Sequence, residues 1–314
     1  MADEDRETAL EPLHSTDENQ TQHSHRSPVC NRICMCTLDG VALFCIITTA
    51  VIFFWRGTWY IMDNIVNPRN YEASGWLSFV LGFLIIIVMH MWQTTFKRIV
   101  GKSNRVLWNI ASRVHTYILA FGCVNQWRGV WHVWDNYTGD GLNSGLISTF
   151  TALAILWASR SSRNILRPPN SLLFDCNHKF TILTRFRVEI SSDIYLYLLD
   201  LIFTVIVLGS AVVSYWRGMW TCIDNVLFPA DTEFSGWASL GIGYGIVFTS
   251  YLLQFIAAEI SCRLGKYSRI AFEDFFLSIV AFGILNIWRG VWYLSDVYII
   301  SDKVWASGWT THCI

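Results

Sequence analysis

Charge is what this sequence has least of. Charged residues make up 15% of the 314 positions and apolar ones 53%, where soluble domains run near a quarter charged. The few charges are clustered, which leaves residues 40–54, 75–96, 196–215 and 238–258 almost without any. A bilayer core of about 30 Å takes roughly 20 helical residues. The scarcity therefore excludes a pair of soluble domains and points to an all-α polytopic membrane protein with the lipid bilayer as its partner. The net charge of −1 says little about other partners, because the charges are sorted by loop; no nucleic acid is expected. Disulfide spacing is missing too. The nine cysteines are scattered, several inside apolar runs, and do not form a framework. Cys30, Cys34 and Cys36 crowd just before the first apolar run. Their spacing does not match common zinc sites, so they are either ordinary thiols or juxtamembrane palmitoylation sites. Residues 1–27 are acidic and polar with no apolar run, which excludes a signal peptide there and predicts a disordered cytosolic tail. HExxH, Walker A, G-x-S-x-G and Cys/His metal patterns are absent, so no enzyme, metal site or cofactor is expected.

What is present is a repeat. The string Trp-Arg-Gly-x-Trp-x-x-x-Asp occurs four times: Trp55, Arg56, Trp59, Asp63; Trp127, Arg128, Trp131, Asp135; Trp216, Arg217, Trp220, Asp224; and Trp288, Arg289, Trp292, Asp296. Each copy leads to a Ser-Gly pair, at Ser74, Ser144, Ser235 and Ser307, which lie 19, 17, 19 and 19 residues after the first Trp. The copies step by 72, 89 and 72 residues, and equal outer steps imply two halves of two units each. Asp39 and Asp200 both precede their motif by 16 residues. The expected organisation is a tail over 1–36, a first membrane half over 37–160, a basic linker over 161–192 and a second half over 193–314.

Each unit reads as helix, motif, short loop, Ser-Gly, helix. The odd helices are expected over 38–60, 107–131, 194–220 and 270–292, and the even ones over 75–96, 142–159 and 236–258. After Trp309 only five residues remain, so seven spans are expected and the eighth is expected to be missing. Orientation follows from the loops. Those after even helices carry thirteen lysines and arginines, whereas those after odd helices, beyond the motif arginines, carry Arg69 and Lys303 alone. The amino end and basic loops are thus predicted cytosolic and the motifs outward-facing. Asn136 begins a glycosylation sequon on that outer side, close to the membrane.

The motif arginines fall at the carboxyl ends of odd helices, where cations complement the helix dipole and can snorkel to water. Trp55 and Trp59 share a helix face. Asp63 lies about 10 Å along the helix from Arg56, so pairing between neighbouring units is easier than pairing within one helix. Gly57 leaves room for close helix contact. Two readings stand side by side: an architectural lock at the rim, favoured because every unit carries it, and a rim that binds an anion or lines a vestibule. Among membrane-depth polar residues, Asn125 and Asn286 are expected to bond between helices. His90, His115 and Gln254 also fall within helices. Glu273 and Asp274 read as a solvated pair or, second, as an ion ligand.

The repeated motif, with Ser-Gly-Trp after three of its four copies, resembles the fuseless family of invertebrate multipass membrane proteins over nearly everything after Cys36. The second copy departs, with Leu146 after Ser144-Gly145. The resemblance implies eight spans, a presynaptic plasma-membrane location, and a role in localising voltage-gated calcium channels and supporting synaptic transmission. It brings no catalytic or ligand-binding residue. The rival class is a transporter or channel for a small solute or ion.

Overall fold

The structure, a computed structural model, describes residues 42–166, 183–188, 193–300 and 303–313. The tail, the cysteines at 30, 34 and 36, and most of the 161–192 linker lie outside them. The described residues hold eight α-helices and no strand. They are α1 (Thr48–Ile65), α2 (Tyr71–Val100), α3 (Arg105–Thr138), α4 (Leu142–Ala158), α5 (Ile194–Val226), α6 (Thr232–Arg263), α7 (Lys266–Tyr298) and α8 (Val304–Cys313). Five helical stretches are long and apolar enough to cross a membrane: Cys45–Ile65, α2, α5, α6 and α7. The chain is an all-α membrane protein. At 34 residues α3 has the length of a span, but its apolar stretch is diluted by Arg113, His115, Gln126 and His132. The 17 residues of α4 reach about 26 Å, a little under the bilayer core.

The helices overrun their expected ends. Each odd helix continues five to seven residues past its expected end, so the motif Asp stays on the helix. Each even helix begins before its Ser-Gly pair. The side chains of Asn70 and Asp231 accept the N–H groups of Ala73 and Phe234, capping otherwise orphaned donors. The eighth helix, expected to be missing as a span, is present as a short helix of about 15 Å, less than a bilayer core. The Ser-Gly pair sits inside an even helix rather than at its start, so the ten residues of α8 already form nearly three turns and pack on α1.

Two further features repeat. A π-helical stretch lies 13 to 8 residues before the motif Trp in the first and third units, at Ala42–Ile47 and Phe203–Leu208. Such a stretch loosens the helical hydrogen-bond ladder, and in the second half the Gln126 amide donates to the Val205 carbonyl at 3.1 Å. The residue twelve after the motif Trp has left-handed backbone in all four units: Asn67 (φ 45), Gly139 (φ 72), Phe228 (φ 51) and Ile300 (φ 49). Only the second unit places glycine there. A β-branched residue such as Ile300 is a true outlier in that region, so the loop geometry is imposed by the groups it serves.

Odd helices form an inner ring and even helices an outer one. The even helix packs chiefly on the odd helix of the following unit: α2 on α3, α4 on α5, α6 on α7, and α8 back on α1. The sequence repeat and the packed helix pair are therefore out of phase by one helix. Among the five spans, burial is lowest in the outer helix α6. Of the most apolar windows, 44% is buried in α5 but 17% in α6, whose Phe248, Tyr251, Leu252, Phe255 and Ile256 are exposed. Such an apolar belt is stable only against lipid.

The core is aromatic. Trp55, Trp127, Trp216 and Trp288 close a ring about the axis, each indole edge-on to the next, with centroids 5.0, 5.4, 5.7 and 5.4 Å apart. Four residues on, Trp59, Trp131, Trp220 and Trp292 close a second ring at 5.7, 5.7, 6.0 and 6.0 Å. Edge-to-face pairs add about 0.5–1.5 kcal/mol each beyond burial. At the end away from the motifs, the 3₁₀ turn Ser162–Leu166 after α4 tucks Ile165, fully buried, into the core. Its carbonyl accepts the Trp216 indole N–H at 3.0 Å. The expected interhelical bonds of Asn125 and Asn286 are not made. Each amide donates one turn back, to Phe121 or Phe282 of its own helix.

Candidate functional site: the four-unit rim

The repeated residues assemble into four copies of one cradle, each shared between units. Arg128 Nε donates to Asp63 Oδ1 at 2.8 Å, Nη2 to Ser74 Oγ at 2.6 Å and Nη1 to Ser78 Oγ at 2.5 Å. Arg289 repeats this with Asp224, Ser235 and Ser239 at 2.8, 2.8 and 2.5 Å. Arg56 closes the circle on the last unit, with Asp296 at 2.8 Å, Ser307 at 2.9 Å and Thr311 at 3.3 Å. Each arginine thus reaches the Asp and even helix of the unit before it, and the first unit reaches the fourth. Pairing runs between units, as the helix spacing suggested.

Arg217 holds Asp135 at 2.8 Å and Ser144 at 2.6 Å, with Ser148 farther off at 3.4 Å. The loop of its partner unit is two residues shorter. In the other units the Ser-Gly serine bonds the loop carbonyl before the left-handed residue: Ser74 to Val66, Ser235 to Leu227 and Ser307 to Ile299. In the short loop Arg217 itself donates to the Gly139 carbonyl and Ser144 bonds Thr138 at 2.6 Å. Strained loop and buried guanidinium hold one another in place.

The guanidiniums do not snorkel. Arg56, Arg128, Arg217 and Arg289 are 2%, 1%, 0% and 1% exposed, turned into the helix interface while the aspartates sit nearer the surface. A buried cation requires paired charge and filled donors, and the cradle supplies both. The hydroxyl four residues after each Ser-Gly serine (Ser78, Ser148, Ser239, Thr311) was missed by the sequence reading. Its signal was there: a Ser or Thr at that offset in all four copies.

Further side chains bear on the same carboxylates. Five residues after the motif Trp, Tyr60 donates to Asp296 at 2.7 Å and Tyr293 to Asp224 at 2.6 Å. His132 takes that place in the second unit, 3.8 Å from Asp63. The motif glycines permit the approach that brings cradle and arginine together. A Cβ on Gly57 would stand 2.6 Å from the Gly308 carbonyl, and one on Gly290 2.9 Å from that of Gly236. Motif glycine faces Ser-Gly glycine across these interfaces, so backbone approaches backbone as small residues allow in membranes.

Chemically the rim is neutral pair by pair. A rim cavity of about 370 Å³ over Arg128 is lined by Asp63 and Asp135 as well, which gives an entering anion two carboxylates against one guanidinium. Glu273 is held by Ser261 at 2.7 Å and Arg269 at 3.0 Å, the setting of a structural carboxylate. Among the described residues no group of three or more His, Cys, Asp or Glu could hold a metal.

Compared with known proteins, the chain matches the family model described as Fuseless over residues 34–314. No curated protein and no solved structure matches it.

Proposed function

The chain belongs to the Fuseless family, and on that premise we propose that it is a non-enzymatic membrane organiser. By the family resemblance it acts at the presynaptic plasma membrane, where it localises voltage-gated calcium channels and supports synaptic transmission. One observation carries the non-enzymatic, non-conducting part of this reading: the repeated polar residues are consumed by one another. Four arginines meet four aspartates, and eight indoles fill the axis that a fourfold pathway would use. What remains for partners is the lipid-facing belt and the loops. The rival, a small-solute or ion pathway, would have to run off the axis. Purified full chain in liposomes is expected to add no flux of ions or small solutes over empty liposomes, while channel subunits co-purify from neuronal membranes. Saturable solute flux without channel co-purification overturns the proposal.

The amino end and the basic loops are placed on the cytosolic side, on the charge asymmetry of thirteen against two. A cysteine introduced at Lys102 should stay unlabelled by an impermeant reagent in intact cells and react after permeabilisation. Labelling in intact cells would reverse the orientation.

A further inference from the structure

At the end of the bundle opposite the motifs lies a cavity of about 820 Å³, and we propose that it binds an anionic phospholipid, with the phosphate among arginines and the chains along an apolar wall. The cavity has a structural cause. At 17 residues α4 is far shorter than α2 and α6, with 30 and 32, and it stops at a level where they run on. Part of the space is taken by the 3₁₀ turn and residues 183–188; among the described residues nothing else fills it.

Arg160, Arg163, Arg185 and Arg187 line the cavity, and Asp274 is the acid among the described lining residues. Arg185 is committed in part to structure, holding the Ser159 carbonyl at 3.0 Å and the Ser161 hydroxyl at 3.1 Å. Arg163 touches Glu273 loosely, at 3.5 Å, and is 80% exposed. Arg160 and Arg187 both adopt left-handed backbone, φ 50 and 57, a conformation that L residues adopt at a cost. Leu153, Trp157, Leu208, Ile270 and Phe275 line the cavity as well, and Trp157 and Phe275 are 50% and 65% exposed, so the apolar lining continues into the lipid-facing surface.

The volume lies within the range of small-ligand sites and suits a headgroup, its glycerol and the first chain carbons. A soluble phosphate would engage the arginines and leave the apolar lining wet. Basic pockets between helices recognise acidic lipid headgroups in this way. The inference is independent of the organiser proposal.

Binding is read by the thermal shift of the full chain in phosphatidylcholine nanodiscs with and without phosphatidylglycerol, and by lipids retained in native mass spectrometry. Phosphatidylglycerol should stabilise and be retained, and Arg160→Gln/Arg187→Gln should weaken its binding about thirtyfold, as loss of two arginines at an acidic headgroup implies. Ala271→Trp fills the apolar side while keeping every arginine, and should also lose the lipid. Equal retention of phosphatidylcholine, undiminished binding in both variants, or an equal shift from inorganic phosphate alone would each overturn the proposal. If the double arginine variant does not fold, Ala271→Trp decides the matter by itself.

Discussion

Replacing Arg289 by leucine is expected to lower stability by about 3–5 kcal/mol, because it strands a half-buried carboxylate together with the hydroxyls built to receive the guanidinium. The size follows from the cradle rather than from the ion pair alone. Asp224 would lose its 2.8 Å partner, and Ser235 and Ser239 theirs at 2.8 and 2.5 Å. Removing both charges, as Arg289→Leu/Asp224→Leu, leaves no uncompensated ion. The double variant should regain about 2–3 kcal/mol relative to the single one, since replacing a buried pair by apolar groups is often close to neutral. Arg128 and Asp63, the matching pair of the other half, should repeat the pattern. Denaturant titration of folded protein in mild detergent measures these variants together with Asp224→Leu and Asp63→Leu, which close the cycles. A purely additive cycle would mean that the rim pairs are not coupled. Intact stability in the single variant would return the arginine to a functional role.

Truncating Trp216 to alanine should be comparably severe, at about 3–5 kcal/mol for the indole. It also loses two edge-to-face contacts in the inner ring, at 5.4 and 5.7 Å, and leaves the Ile165 carbonyl without its 3.0 Å donor. Trp92, 69% exposed on α2, provides the comparison. Its alanine variant should stay within about 1 kcal/mol of the parent, as surface changes usually do. The same titration reads both. Equal losses at the two positions would show that the ring around the axis contributes no more than a lipid-facing anchor.

Much of this was legible in the residues. Arg56 and Asp63 seven positions apart cannot easily meet on one helix, and that geometry alone predicted pairing between units. The Ser-Gly pair was recognised as part of the motif, but its role was not. A serine that bonds a guanidinium from another segment has no signature within its own helix, so Ser78 looked like an ordinary helix position, and only the recurrence of a hydroxyl there in all four copies marked it. The arginines were expected to reach water because single-helix reasoning knows only the helix end and the interface. It does not know that a neighbouring helix brings an acid and two hydroxyls to the same point. Asn125 and Asn286 failed for the opposite reason: nearest-turn carbonyls lay within reach and took the bond.

By itself the sequence determined the membrane class, the number of units and the residues that would carry the rim. Those depend on composition and on helical spacing, which are local. Tertiary structure alone decided that even helices pack on the next unit, that Arg56 closes on Asp296 across 240 residues, and that the axis is filled by two rings of indoles. It also decided that a short α4 leaves an arginine-lined cavity at the far end. Closure of a ring is a relation between its first and last members, and no stretch of chain contains both.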